Sequence, residues 1–132
     1  MSDSLVIIPT FNEKENVEAM IHKIFSLQKH FHILVVDDNS PDGTANIVKS
    51  LQPTYPESLF LLERKGKLGL GTAYIAGFKY GLSKNYNYIF EIDCDFSHDP
   101  EDLIRLYHAC HIGGFDMAVG SRYVTGGRVE NW

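Results

Sequence analysis

At 132 residues, with 44% hydrophobic and 22% charged residues, the chain has the size and balance of one globular domain that can bury a core. Its net charge of -5 excludes the nucleic-acid binding that runs on a surplus of Lys and Arg. The start, Met1-Ser2-Asp3-Ser4, has none of the features of a signal peptide, and no apolar run approaches the roughly 20 residues of a membrane span.

Short β-branched runs alternate with stretches of helical period, the pattern of βαβ units around a largely parallel sheet. Leu5 to Ile8 is the first predicted strand. Asn12 and Glu15 read as a capping box, and Val17, Met20, Ile21, Ile24 and Phe25 share one face of a helix predicted to run to about Gln28. Ile33 to Val36 is a second strand. Ser40-Pro41 reads as the N-cap and first-turn proline of a helix carrying Ile47, Val48 and Leu51, closed off by Pro53 and Pro56. Leu59 to Leu62, a helix over Thr72 to Leu82 and a strand leading to Asp93 follow. Asp99-Pro100 then caps a helix through Leu103, Leu106 and Tyr107, and Asp116 to Val119 is the last strand. No repeat or linker divides the chain, so residues 1–132 are expected to form one α/β domain.

In a doubly wound sheet, ligands bind outside the carboxyl ends of the strands. Four polar clusters follow predicted strands here: Pro9 to Glu13, Asp37 to Ser40, Asp93-Cys94-Asp95, and Gly120-Ser121-Arg122. All four are therefore expected on one sheet edge. Glu13, Asp37, Asp38, Asp93 and Asp95 would crowd negative charge there, and like charges ~4 Å apart repel by about 4 kcal/mol at an effective dielectric of 20. A hard divalent cation, Mg²⁺ or Mn²⁺, answers that charge, with Asp93 and Asp95 as oxygen ligands and open positions for a diphosphate. The plainer alternative is that these two aspartates cap the following turn.

Asp37 and Asp38 either start a turn or hold the ribose and base of a nucleotide. Arg64 to Ala73 sets cations and glycines before a helix, which suits phosphate, but its spacing fits neither a dinucleotide nor a Walker fingerprint, and a solvated loop is the alternative. Arg122 offers a fork for phosphate or else a structural ion pair. His98 is read as a local hydrogen-bonding residue. Cys94 and Cys110 have no metal or redox spacing, and such sparse use suits a reducing compartment without a disulfide.

Taken together and in order, Val6 to Glu13, Val35 to Thr44, Lys67 to Tyr74, Asp93-Cys94-Asp95 with Ser97-His98, and Gly120 to Tyr123 resemble the family 2 glycosyltransferases of GT-A fold, in particular the polyprenol-phosphate mannosyltransferases. The resemblance implies a Rossmann-like GT-A nucleotide-sugar-binding domain, its mostly parallel sheet flanked by helices. It implies an inverting transfer of a hexose, typically mannose from GDP-mannose, to a polyprenol (dolichol-type) phosphate. Pro9, Phe11, Glu13, Val36 and Asp38 would hold the nucleotide. Asp93, Cys94 and Asp95 would form the DXD-type segment, with Asp95, Asp93 and Ser97 at the metal. Asp95 and Arg122 would act in catalysis, Arg122 facing the lipid phosphate or the donor diphosphate.

Three departures stand out. Cys94 replaces a small residue inside the acidic motif and sets a thiol near the expected metal; Phe11 stands where tyrosine is common; and the chain ends where members of the resembled family continue. The acceptor part and any membrane anchor are thus expected outside it, leaving a donor-binding part that binds donor weakly, turns over poorly and self-associates through uncovered apolar surface. The resemblance places the protein in the cytoplasm, peripheral to the membrane face. Two rivals are a transferase using a UDP-sugar such as UDP-glucose, acting on polyprenol phosphate or a glycan, and a phospho-accepting receiver domain. The second fits poorly, because no acids end the first strand and an arginine stands where a lysine would be wanted.

Overall fold

The computed structural model describes residues 2–65, 70–97, 99–113, 118–119, 123–124 and 128–129. Five strands form a parallel sheet: β1 (Ser4–Thr10), β2 (His32–Asp37), β3 (Leu59–Glu63), β4 (Tyr88–Glu91) and β5 (Ala118–Val119), in the order β3-β2-β1-β4-β5. The helices α1 (Val17–Phe25), α2 (Thr44–Leu51), α3 (Leu70–Ser83) and α4 (Asp102–Gly113) connect them, and an antiparallel pair, β6 (Tyr123–Val124) and β7 (Arg128–Val129), follows.

Alternation along the strands divides the core in two. Val6 and Ile8 of β1, with Ile33 and Val35 of β2 and Phe90 of β4, pack with Val17, Met20, Ile21 and Ile24 of α1, Val48 of α2, and Leu103 and Leu106 of α4. Leu5, Ile7, Leu34 and Val36 meet Ala73 and Tyr74 of α3 on the other side. Every residue of β1 and β2 is buried, as expected of central strands covered on both faces.

Helix starts differ from the sequence expectation in two places, for one reason. The residues expected to cap are used across the loops instead. Asn12 adopts a left-handed φ of 58° and begins a loop rather than a helix. The N–H groups of Asn12, Glu13 and Lys14 donate to Ser40 Oγ (2.9 Å), Thr44 Oγ1 (3.0 Å) and Asp42 Oδ2 (3.1 Å). Helix α1 therefore starts at Val17 behind Asn16, which makes no side-chain cap bond. Ser40 is committed in turn to Asp37, so α2 opens at Thr44, whose N–H is received by Asp42 Oδ1 at 3.0 Å. At the other end, α1 stops at Phe25 rather than near Gln28, because Ser26 Oγ turns back to the Lys23 carbonyl at 2.6 Å.

Helix α3 approaches the sheet through glycines. A Cβ on Gly77 would stand 2.7 Å from Ile7 Cδ1 and Cγ2, and one on Gly81 2.7 Å from Ile89 Cδ1. Ile7 is fully buried and cannot swing away. We predict that Gly77→Ala lowers stability by about 1–3 kcal/mol through overpacking. Gly71→Ala, with open space around the new methyl, raises it by roughly 0.5–1 kcal/mol through its helix propensity. Melting temperatures moving in opposite directions would verify the close approach.

At the amino-terminal edge of the sheet, His32 is buried, and its Nδ1 shares a 2.6 Å hydrogen bond with the Tyr86 hydroxyl. Burial first, then the nearby His30, holds the His32 pKa below its ordinary 6.5. The sign follows from linkage. Well above pH 6.5 neither state carries the proton; as pH falls through that value the unfolded chain binds one that the folded chain resists, and stability drops. The melting temperature should thus decline between about pH 7.5 and 5.5, and His32→Gln should shrink that decline.

Candidate functional site

The order β3-β2-β1-β4-β5 reverses direction beside β1: β2 lies on one flank and β4 on the other. In doubly wound sheets the ligand crevice lies at such a switch point, outside the carboxyl ends of the strands. The loop after β1, the turn after β2 and the acidic motif after β4 all surround it. Pro9 and Val36 are register neighbours near the carboxyl ends of β1 and β2, with Thr10 and Asp37 one step beyond.

The two adjacent aspartates after β2 have separate work. Asp37 accepts from Thr10 Oγ1 (2.7 Å), Ser40 N–H (3.0 Å) and Ser40 Oγ (2.6 Å), so it starts the turn and ties β1 to β2. Asp38 accepts from Arg64 Nε at 2.6 Å and Nη2 at 2.9 Å, a bidentate pair whose side chains are only 8% and 11% exposed. Arg64 also donates from Nη1 to Thr72 Oγ1 at 3.0 Å, and its N–H reaches the Asp37 carbonyl at 2.8 Å. One arginine thereby locks the end of β2 to the start of α3.

The acidic motif shows a similar division. Asp93 Oδ1 accepts from the Tyr74 hydroxyl at 2.7 Å, so the first turn of α3 orients that carboxylate. Asp95 is exposed, and its Oδ1 accepts from Ser97 N–H at 2.9 Å across Phe96. Between them Cys94 turns into the core, 1% exposed. Burial pushes its thiol up to about 12, and the charges of Glu13, Asp95 and Asp93 add to that push. Those three carboxylates, from two loops 80 residues apart in sequence, therefore all lie near Cys94. The Cys94 thiol stays neutral at physiological pH and does not compete as a soft ligand.

Among the described residues, no three His, Cys, Asp or Glu side chains are grouped so that they could hold a metal ion between them. The donor set is two hard carboxylates, Asp93 and Asp95, with the Ser97 hydroxyl nearby in sequence. That chemistry fits Mg²⁺ or Mn²⁺ completing its shell with ligand oxygens and water. Of the other expected site residues, Phe11 and Glu13 lie in the loop after β1, while Arg122, His98 and residues 66–69 of the glycine-rich stretch fall outside the described residues. Tyr74, Thr72 and the Arg64–Asp38 pairing escaped sequence reasoning. The local signal was weak, since a tyrosine within a helix points to no partner 19 residues ahead.

The fold is an α/β domain of GT-A type. Residues 5–132 match Glycosyl transferase family 2, and the chain belongs to that family, which sets aside the receiver-domain reading. The chain is 47% identical over 129 residues to a polyprenol monophosphomannose synthase from Mycolicibacterium smegmatis, covering 98% of this chain and 48% of that protein. It is 43% identical to an undecaprenyl-phosphate mannosyltransferase from Micrococcus luteus (97% and 51%) and 40% identical to a dolichol-phosphate mannosyltransferase from Pyrococcus furiosus (96% and 35%). The chain thus spans about half the length, or less, of these relatives. Among solved structures, the mannosyltransferase PcManGT from Pyrobaculum calidifontis, in complex with GDP-Man and Mn²⁺, superposes with a TM-score of 0.56 at 28% identity over 59% of this chain and 24% of that one. TarS from S. aureus superposes with a TM-score of 0.68 over 85% of this chain and 33% of its own; at 21% identity it speaks for the fold alone.

Removing either partner of the Asp38–Arg64 pair leaves a nearly buried charge behind. Asp38→Ala and Arg64→Ala should each cost roughly 3 kcal/mol or more. The double variant should fall short of their sum by on the order of 1–3 kcal/mol in denaturant unfolding.

Proposed function

We propose that this chain is the donor-binding part of an inverting glycosyltransferase that moves mannose from GDP-mannose to a polyprenyl phosphate. The observation that carries the reading is that the loop after β1 and the acidic motif after β4 flank the switch point between those paired strands, with Tyr74 of α3 holding Asp93 there. The relatives named for polyprenol-type acceptors and the PcManGT complex with GDP-Man and Mn²⁺ support the substrates.

In this reading the nucleotide lies over the carboxyl ends of β1 and β2, held by Pro9, Phe11, Glu13, Val36 and Asp38. The Arg64 fork keeps Asp38 in one rotamer, so little orientational freedom is lost on binding. Asp93 and Asp95 would hold Mg²⁺ or Mn²⁺, with Ser97 able to add a hydroxyl ligand, and such an ion supplies charge to stabilise the departing diphosphate. Tyr74 keeps Asp93 aimed at that place. Arg122 serves as a fork for phosphate. The acceptor phosphate is already ionised near neutral pH and needs no general base. One of its oxygens forms a bond to the anomeric carbon from the face opposite the leaving group, the bond from that carbon to the diphosphate oxygen breaks, and the electron pair leaves with GDP. Inversion is the stereochemical result. The catalytic demand falls on alignment and leaving-group charge, which suits a site built of acids and a cation. No helix among the described residues is long and apolar enough to cross a membrane; in this reading the domain meets its lipid acceptor from the cytoplasmic side as a peripheral domain.

A thermal-shift series tests the assignment. GDP-mannose with Mn²⁺ should raise the melting temperature more than UDP-glucose with Mn²⁺ or GDP-mannose with a chelator, and Asp95→Ala should erase the contribution of Mn²⁺. A larger shift with UDP-glucose would transfer the assignment to a UDP-sugar enzyme.

A further inference from the structure

The turn after the acidic motif contains an anomaly that metal and nucleotide binding leave unused. Five non-glycine residues among those described have positive φ: Asn12, Asn39, Glu57, Asn85 and Phe96. Three are asparagines, whose short polar side chain tolerates the left-handed region. Phe96, at φ 59°, is the aromatic exception, and holding a bulky residue there costs on the order of 1–2 kcal/mol. The ring gains little of that back by burial in its own fold, because Phe96 is 41% exposed, one of three large exposed hydrophobics among the described residues. The other two, Ile75 and Leu82, lie on α3; Phe96 alone stands in the acidic motif, directly beside Asp95. The Ser97 N–H bond to Asp95 Oδ1 closes the turn around it, so the same backbone conformation that presents the carboxylate also presents the ring.

An apolar ring fixed at a strained position beside a carboxylate brings neither charge nor a hydrogen bond to a phosphate. It suits a ligand that is ionic at one end and hydrocarbon immediately next to it. Resting on the function proposed above, we infer that Phe96 is the first apolar contact for the polyprenyl chain of the acceptor, setting the preference for a prenyl over a plain phosphate ester. The phosphate is drawn toward the cation and arginine of the site, and the isoprene unit bonded to it must then find apolar surface within a few ångströms. Phe96, one residue from Asp95, supplies that surface.

The test is calorimetric binding of geranyl phosphate and of methyl phosphate in the presence of Mn²⁺ and GDP, using the protein and three variants. Geranyl phosphate should bind the parent at least about tenfold more tightly than methyl phosphate, an apolar increment of about 1.4 kcal/mol. Phe96→Gly removes the ring while accepting the left-handed turn, and should bring the two ligands to equal affinity with the melting temperature held or raised. Phe96→Leu should keep most of the preference, and Phe96→Asn should lose it. An unchanged geranyl preference in Phe96→Gly, or none in the parent, would overturn the inference. So would a fall in melting temperature in Phe96→Gly with the preference intact, since the ring would then serve the fold. Failure of GDP-mannose itself to bind with Mn²⁺ would instead sink the donor assignment, a separate result from any change in prenyl preference.

Discussion

The rest of the structure depends on the double pairing of β1. Its residues Ser4–Thr10 are buried throughout and hydrogen-bond to β2 on one flank and β4 on the other. Because β1 is paired on both flanks, the loops beyond the carboxyl ends of β1, β2 and β4 lie side by side, and polar residues from sequence positions far apart meet there. Moving β1 by one register step would exchange Val6 and Ile8 with Leu5 and Ile7 between the two core faces and swing the loop of Phe11 and Glu13 away from the acidic motif. Core packing and site geometry are thus one constraint.

That geometry creates a concentration of carboxylates, and the fold gives each a different treatment. Asp37 is consumed by hydroxyl and amide donors and becomes part of the scaffold. Asp38 is neutralised in place by Arg64, whose remaining donor reaches across to α3. Asp93 is steered by a tyrosine, while Asp95 stays at the surface and accepts from Ser97 N–H. The gradient from satisfied to exposed runs from the β2 side toward the β4 side.

Helix α3 carries an unusual share of this arrangement. Its glycines let it settle onto Ile7 and Ile89 at a distance no side chain would permit. Its first turn contributes Thr72 to Arg64 and Tyr74 to Asp93. Close packing against β1 and β4 thereby becomes orientation of the groups above them, since a helix seated farther from the sheet would lift Tyr74 out of reach of the acidic motif.

Much of this was legible in the chain. The alternation of β-branched runs with helical periods predicted the parallel α/β sheet, and the placement of polar clusters after strands predicted that one edge would collect them, because both patterns are local. The helix starts were not legible: Ser40 Oγ, a cap-forming group, donates to Asp37 and accepts from the Asn12 N–H 28 residues away, and only the tertiary structure decided that this loop contact would take it from a cap. Nor could adjacency in sequence tell Asp37 from Asp38. Side chains leaving neighbouring positions at a strand end point apart, so one met Thr10 and the other Arg64. The sequence by itself determined which chemical groups were available and at which edge; the packing of α3 and the switch point at β1 decided which of them are committed to the scaffold and which remain open to a ligand, because hydrogen-bond partners are assigned by distance in space.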